Sequence, residues 1–137
     1  MIRGWFVDTS VLLLAAGGEH AQRPPCRAFL TAAAASQTPL HASTEAIQEY
    51  LFHGLRVSDR ESAIAQSRAL VGVLHLHDLT GAVLLRAIQL VEATPLRGRD
   101  AVHAATALEV GFDAIVTLDS DFALVPGLRA LHPSEAL

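Results

Sequence analysis

The chain has 137 residues, of which 51% are hydrophobic and 18% charged. That length suits one domain, residues 1–137, burying roughly two-thirds of the surface its unfolded chain would expose, and the composition excludes a disordered or fibrous protein. The formal net charge is −4 and every basic side chain is an arginine. This excludes a protein that coats nucleic acid by bulk positive charge, although arginine is itself a good bidentate phosphate ligand.

Trp5-Phe6-Val7 is a short aromatic and β-branched run that predicts a first strand ending at Asp8. A leucine-rich helix follows from about Ser10 and is broken at Gly17-Gly18. This N-terminal stretch superficially resembles a secretion signal, but its apolar part is short and Asp8, Thr9 and Ser10 stand just before it. No run approaches the ~18 apolar residues of a membrane span. Cys26 is the single cysteine, so no disulfide can form within the chain. Together these features predict a soluble cytoplasmic protein. Pro24-Pro25 opens a second helix through Ala28–Ala35, proline being tolerated in a first turn. Pro39-Leu40-His41-Ala42 predicts a second strand, and Ser43 or Thr44 caps a helix running to about Leu55. Gly54 to Ser58 reads as a turn, and Ser58-Asp59-Arg60-Glu61 as a capping box opening the next helix, which carries Ile64, Ala65, Ala69 and Leu70. Val73-Leu74-His75-Leu76-His77 predicts an alternating or buried strand, followed by a helix around Ala82–Val91. Pro95, Gly98, Arg97 and Arg99 form a loop, and Asp100 starts a helix with Ala101, Ala104, Ala105 and Leu108 on its apolar side, ended by Gly111. Ala114–Leu118 and Leu128–Leu131 are the last strands. Strands alternating with helices predict the α/β class, a parallel sheet with helices on both faces.

In such a sheet, functional groups gather beyond the carboxyl ends of the strands, near the switch in strand order. Asp8 and Asp119 each end a predicted strand, Asp100 begins the helix before the second of these, and Glu49 lies about one and a half turns into the helix after the second strand. Four acids from four distant positions thus point to one sheet edge. The chemistry that uses such a set is divalent-metal catalysis, because Mg²⁺ and Mn²⁺ prefer hard oxygen ligands and activate water for phosphodiester displacement. Taken singly, each acid also has a structural reading. Asp8 and Asp100 suit helix caps, Glu49 a solvated helix face, and Asp119 and Asp121 a turn. The chain carries no G-x-S-x-G, P-loop or G-x-G-x-x-G pattern.

Four segments, FVDTS (6–10), STEAIQEYL (43–51), RGRDAVHAATAL (97–108) and DAIVTLDSDF (113–122), resemble the PIN-domain nucleases, in particular the VapC-type toxins of bacterial toxin–antitoxin pairs. They span almost the whole chain in family order. The resemblance implies a PIN-like three-layer α/β/α sandwich around a central, mainly parallel sheet of four to five strands. It also implies an Mg²⁺- or Mn²⁺-dependent endoribonuclease, commonly a homodimer, silenced by a cognate VapB-type antitoxin. By motif, Asp8, Glu49, Asp100 and Asp119 match the family's acids, with Asp121 an auxiliary candidate for the metal and Glu45 a competitor for the position of Glu49. Thr9, Ser10 and Thr117 match small hydroxyl positions that support the acids. Arg97 and Arg99 read either as contacts to substrate phosphate or antitoxin acid, or as solvated loop charges.

Seven histidines suggest zinc, but His75-x-His77 lacks a nearby Cys or Glu ligand and reads as structural, and His103, one turn after Asp100, reads either as a helix-face residue or as a contact to RNA or antitoxin. Phe122 is expected to anchor its loop in the core, and Trp5 and Phe6 to pack. The alternative function is a PIN-like module that binds RNA or a partner without turnover. A small-molecule phosphohydrolase is disfavoured because no D-x-D-x-T motif surrounds Asp8.

Overall fold

In the computed structural model, which describes residues 3–137, five parallel strands alternate with six helices. They are β1 (Trp5–Phe6), α1 (Thr9–Ala16), α2 (Arg23–Ala35), β2 (Leu40–Ser43), α3 (Thr44–Val57), α4 (Arg60–Val73), β3 (His75–His77), α5 (Gly81–Ala93), α6 (Gly98–Val110), β4 (Ala114–Val116) and β5 (Arg129–Leu131). Strands β1, β2 and β3 pair in that order, and β4 pairs with β5. A parallel bridge between Val7 and Val116 joins the two ladders, and the Asp8 amide donates to the Val116 carbonyl at 2.9 Å. The spatial order is therefore β3-β2-β1-β4-β5. The chain moves outward from β1 to β3, then returns to β4 on the other side. The switch point lies between β1 and β4, where Asp8 and Thr117 emerge.

Side-chain alternation along the strands splits the core in two. Val7, Leu40, Ala42 and Val116 pack with Val11, Leu12, Phe29 and Tyr50 on the face covered by α1, α2 and α3. Phe6 and Ile115 pack with Val83, Ala87, Leu90 and the alanines of α6 on the opposite face. This is the three-layer α/β/α sandwich expected from the sequence. Ala101, Ala104, Ala105 and Ala107 are fully buried, and their small side chains let α6 lie close to the sheet. Phe122 is buried as expected. At Gly4 the positive φ of 103° and an ideal Cβ falling 2.0 Å from the Pro39 carbonyl oxygen leave room for no other residue.

Several local readings change. Helix α3 continues to Val57 through the stretch read as a turn. Gly54 serves there as a contact, since a Cβ would stand 3.1 Å from that of Ala63 on α4. The cap of α4 is Asp59, whose carboxylate accepts from the Ser62 amide at 2.9 Å, and not Ser58. Val73 ends α4 and Leu74 caps it, so the third strand is only His75–His77, on the sheet edge with His75 exposed and its two neighbours half-buried. Helix α6 begins at Gly98 with Arg97 in the cap position. Asp100 therefore lies inside the first turn, and its carboxylate is not the cap. Among the described residues, no helix is long and apolar enough to cross a membrane.

Candidate functional site

The carboxyl ends of β1 and β4 set two acids side by side. Asp8 is 4% exposed and its two oxygens do different work. Oδ1 accepts the Thr9 amide at 2.9 Å and so caps α1. Oδ2 accepts the Ser10 hydroxyl at 2.7 Å and the Thr117 hydroxyl at 2.9 Å. Thr117 in turn accepts the Asp119 amide at 3.0 Å. One threonine thus ties the acid ending β1 to the segment leaving β4. Asp119 caps a short 3₁₀ turn, Ser120–Leu124, through an Oδ1 bond from the Asp121 amide at 2.9 Å. The cap and turn readings of Asp8 and Asp119 are both correct locally, and neither prevents the carboxylates from facing the same edge.

Asp100 approaches from α6. Burial, then the negative charge of Asp8, pushes its carboxyl up to about 6; Asp119 and Glu49 push the same way while His103 opposes them. Glu49 approaches from α3. Burial raises its carboxyl, but the His103 hydrogen bond and charge, the Thr9 hydroxyl and the charge of Arg99 together hold it below its ordinary value. The acids that act on Asp100 are Asp8, Asp119 and Glu49, so the four expected from the sequence do converge. Asp121 is exposed and is not among the charges acting on Asp100. Glu45 lies in the first turn of α3, outside this group. Arg97 and Arg99 are exposed at the start of α6, and Arg99 is the one whose charge reaches Glu49.

The residue whose role sequence reasoning missed is His103. It is 1% exposed and sits among the acids instead of on an open helix face. Its Nε2 lies 2.5 Å from Glu49 Oε1 and 3.2 Å from Thr9 Oγ1, and its Nδ1 lies 2.6 Å from Ser43 Oγ. Burial alone would lower its pKa, but the Glu49 hydrogen bond and the charges of Asp8, Glu49 and Asp100 raise it. The available signal was a histidine amid Ala101, Ala104, Ala105 and Ala107, a polar group in a helix otherwise built to be buried.

Among the described residues, donor atoms of Asp8, Asp100 and His103 lie within 4.8 Å of one another, close enough to hold a metal ion. An ionised Glu49 oxygen can only accept, so Nε2 of His103 carries the proton between them and offers no lone pair, while Nδ1 faces Ser43. The donors left are carboxylate oxygens. That set fits a hard cation such as Mg²⁺ or Mn²⁺ and suits zinc poorly. The ion pairs among the described residues are Arg86–Glu109 and His103–Glu49, so no arginine neutralises Asp8, Asp100 or Asp119. His41, His75 and His77 form a separate group at the β2–β3 edge of the sheet. His41 donates from Nε2 to the Arg3 carbonyl and pairs through Nδ1 with His77 Nε2, both at 2.9 Å. Among the described residues, no third donor completes a set with that pair. A cavity of about 560 Å³, lined by Leu12, Leu30, Tyr50, Leu70 and Val73, opens among α1, α2, α3 and α4 and is lined by none of the acids.

Residues 5–128 match the model of the PIN domain family. The chain is 36% identical over 133 residues to Ribonuclease VapC7 of Mycobacterium tuberculosis, covering 95% of this chain and 92% of that protein. It is 34% identical over 122 residues to Ribonuclease VapC23 of the same species, covering 86% and 94%. Two solved structures share the fold. One is a toxin–antitoxin complex from Klebsiella pneumoniae, with TM-score 0.74, 19% identity and coverage of 96% and 99%. The other is M. tuberculosis VapC20, described as a sarcin–ricin-loop-cleaving toxin, with TM-score 0.71, 20% identity and coverage of 88% and 93%.

Proposed function

The chain belongs to the PIN-domain family, and from that premise we propose that it is a VapC-type toxin, a metal-dependent endoribonuclease that hydrolyses RNA phosphodiester bonds and is neutralised by a cognate VapB-type antitoxin. The observation that carries this reading is the meeting of Asp8, Glu49, Asp100 and Asp119 at the sheet's switch point without an arginine to neutralise the three aspartates. Full-length likeness to proteins named ribonucleases supports the nuclease class.

Asp8, Asp100 and Asp119 would hold Mg²⁺ or Mn²⁺, which would supply acidified water and charge neutralisation at the scissile phosphate. The chain's own residues do the rest. Ser10 and Thr117 fix the rotamer of Asp8 by donating to one oxygen, so the carboxylate is oriented before substrate arrives. Asp100, its carboxyl pushed up to about 6 by burial and the charge of Asp8, would share the holding of the cation with Asp8 and Asp119. Glu49, kept ionised by His103 and Thr9, is placed to accept a proton from water at the cluster's rim. Asp121 belongs to the proposal as an auxiliary acid, and Arg97 and Arg99 as contacts for substrate phosphate or antitoxin acid. Action in the cytoplasm is part of the same reading. So is a homodimer, supported by the exposed apolar stripe Leu84, Leu85, Ile88 and Val91 along α5; a monomer by sedimentation at micromolar concentration would remove that part.

The test is cleavage of RNA by purified protein with Mg²⁺, with EDTA, and with the Asp8→Asn variant. Metal-dependent products lost in the variant support the enzyme. RNA bound equally with and without EDTA, and never cut, identifies a non-catalytic binding module instead.

A further inference from the structure

His103 joins two helices that each bring an acid to the edge. It stands on α6 one turn after Asp100, and both of its ring nitrogens reach α3 or its cap. Nδ1 meets Ser43 Oγ at 2.6 Å, and Ser43 is the N-cap of α3, accepting the Ala46 amide at 3.2 Å. Nε2 meets Glu49 Oε1 at 2.5 Å, and the Thr9 hydroxyl donates to that same oxygen at 3.2 Å. The imidazole is 1% exposed, so it is neither a solvent-facing substrate contact nor free to swing away. Its proton on Nε2 is required by the acceptor it faces, which leaves no lone pair for a cation.

Resting on the nuclease reading above, we propose that His103 is a positioning residue that clamps the start of α3 to α6 and holds Glu49 at the acid cluster through a hydrogen bond, without itself ligating the metal. Two contacts on one rigid ring set both the origin of α3 and the carboxylate six residues along it. Glu49 is otherwise a long side chain with three freely rotating bonds, and its reach relative to Asp100 would vary. The clamp selects the rotamer in which the carboxylate faces the cluster.

The experiment uses two substitutions that divide the ring's contacts. A glutamine side chain can place its amide nitrogen near the position of Nε2 and keep the donor to Glu49. Asparagine reaches only the position of Nδ1 and keeps Ser43 alone. Wild type, His103→Asn, His103→Gln, Glu49→Gln and the double variant His103→Asn/Glu49→Gln are compared on a fluorophore–quencher RNA oligonucleotide of mixed sequence. We expect His103→Asn and Glu49→Gln each to lower kcat roughly 10- to 100-fold with KM little changed. The double variant should be no worse than the poorer single, because His103 acts through Glu49. His103→Gln should recover most of the rate. Mn²⁺ affinity of His103→Asn, read by paramagnetic titration, should stay within about threefold of wild type, whereas loss of a ligand costs tenfold or more. Losses that multiply in the double variant, equal rates for the Asn and Gln variants, or a collapse of Mn²⁺ affinity would each overturn the proposal. Denaturant unfolding of the same proteins gives a readout that needs no nuclease activity. If wild type cuts no RNA, the nuclease reading fails, and the clamp stands only if the unfolding constants of His103 and Glu49 variants are non-additive. Should His103→Asn not fold, the clamp stands only if His103→Gln keeps most of the wild-type rate and Mn²⁺ affinity while Glu49→Gln loses the rate and keeps the affinity; a His103→Gln protein as slow as Glu49→Gln would overturn it.

Discussion

Asp8 accepts three hydrogen bonds, an amide on one oxygen and two hydroxyls on the other. Asp100 has no such compensation, and its half-buried carboxyl stands near 6 against an ordinary 3.8. A carboxyl raised on folding adds stability that is present below its unfolded value and lost as pH rises through the folded value. The raised His103 adds a term of the same sign at higher pH, while the lowered Glu49 acts oppositely and only toward acid pH. Metal-free protein should therefore lose stability between about pH 4 and pH 7 through Asp100. Thermal melts in EDTA should show Asp100→Asn losing less between pH 5 and pH 7 than wild type, and more stable than it at pH 7. Parallel pH slopes in the two proteins would sink that account. At the neighbouring strand end, Asp119→Asn should reduce Mg²⁺ affinity and cleavage at least tenfold, and Asp121→Asn by much less, since Asp119 is tied through Thr117 to Asp8 while Asp121 is exposed. Comparable losses in the two would make Asp121 an equal partner. The four acids were legible in the sequence because each stands at a strand end or helix start, where spacing predicts its direction. The role of His103 was not, because a lone histidine three residues after Asp100 gives no sign of which elements cover it. Only the packed arrangement of α3 against α6 reveals its partners.

Glycine is ambiguous in the same way at the scale of elements. Gly54 invites a turn reading, yet it lies within α3 because its missing Cβ admits Ala63 of α4. Gly72, near the end of α4, has nothing within 4 Å of an added Cβ. Gly54→Val should destabilise the fold by about 1–3 kcal/mol through overpacking, whereas Gly72→Ala should stabilise it by about 0.5–1 kcal/mol. Chemical denaturation measures both, and a Gly54→Val protein as stable as wild type would show that the α3–α4 contact is loose. The same contact explains why the capping box was misplaced by one residue. With α3 extended to Val57, the chain reverses within Ser58-Asp59, and Asp59 is the residue left to face the Ser62 amide. The third strand was read too long because Val73-Leu74 is apolar in either state; α4 claims Val73, and the edge position of β3 leaves His75 exposed.

For the whole molecule, the alternation of strands and helices already required a parallel sheet with covered faces. The five-strand order and the Val7–Val116 bridge that completes it are long-range facts that no local pattern encodes. They matter because they put the ends of β1 and β4 next to each other, and so turn two strand-terminal aspartates into one site. The acidic balance of the chain has the same logic. A net charge of −4 is a poor match for RNA unless cations bridge the two. One cation-dependent acid cluster cutting RNA, as proposed, reconciles that charge with the substrate. That proposal is tested most directly by incubating purified wild type and Asp8→Asn with total RNA across an Mg²⁺ titration and mapping the new ends by sequencing. Discrete ends should appear with Mg²⁺ in wild type, vanish in EDTA and be absent in Asp8→Asn despite an unchanged circular dichroism spectrum. The same ends produced by Asp8→Asn, or by wild type in EDTA, would contradict the proposal.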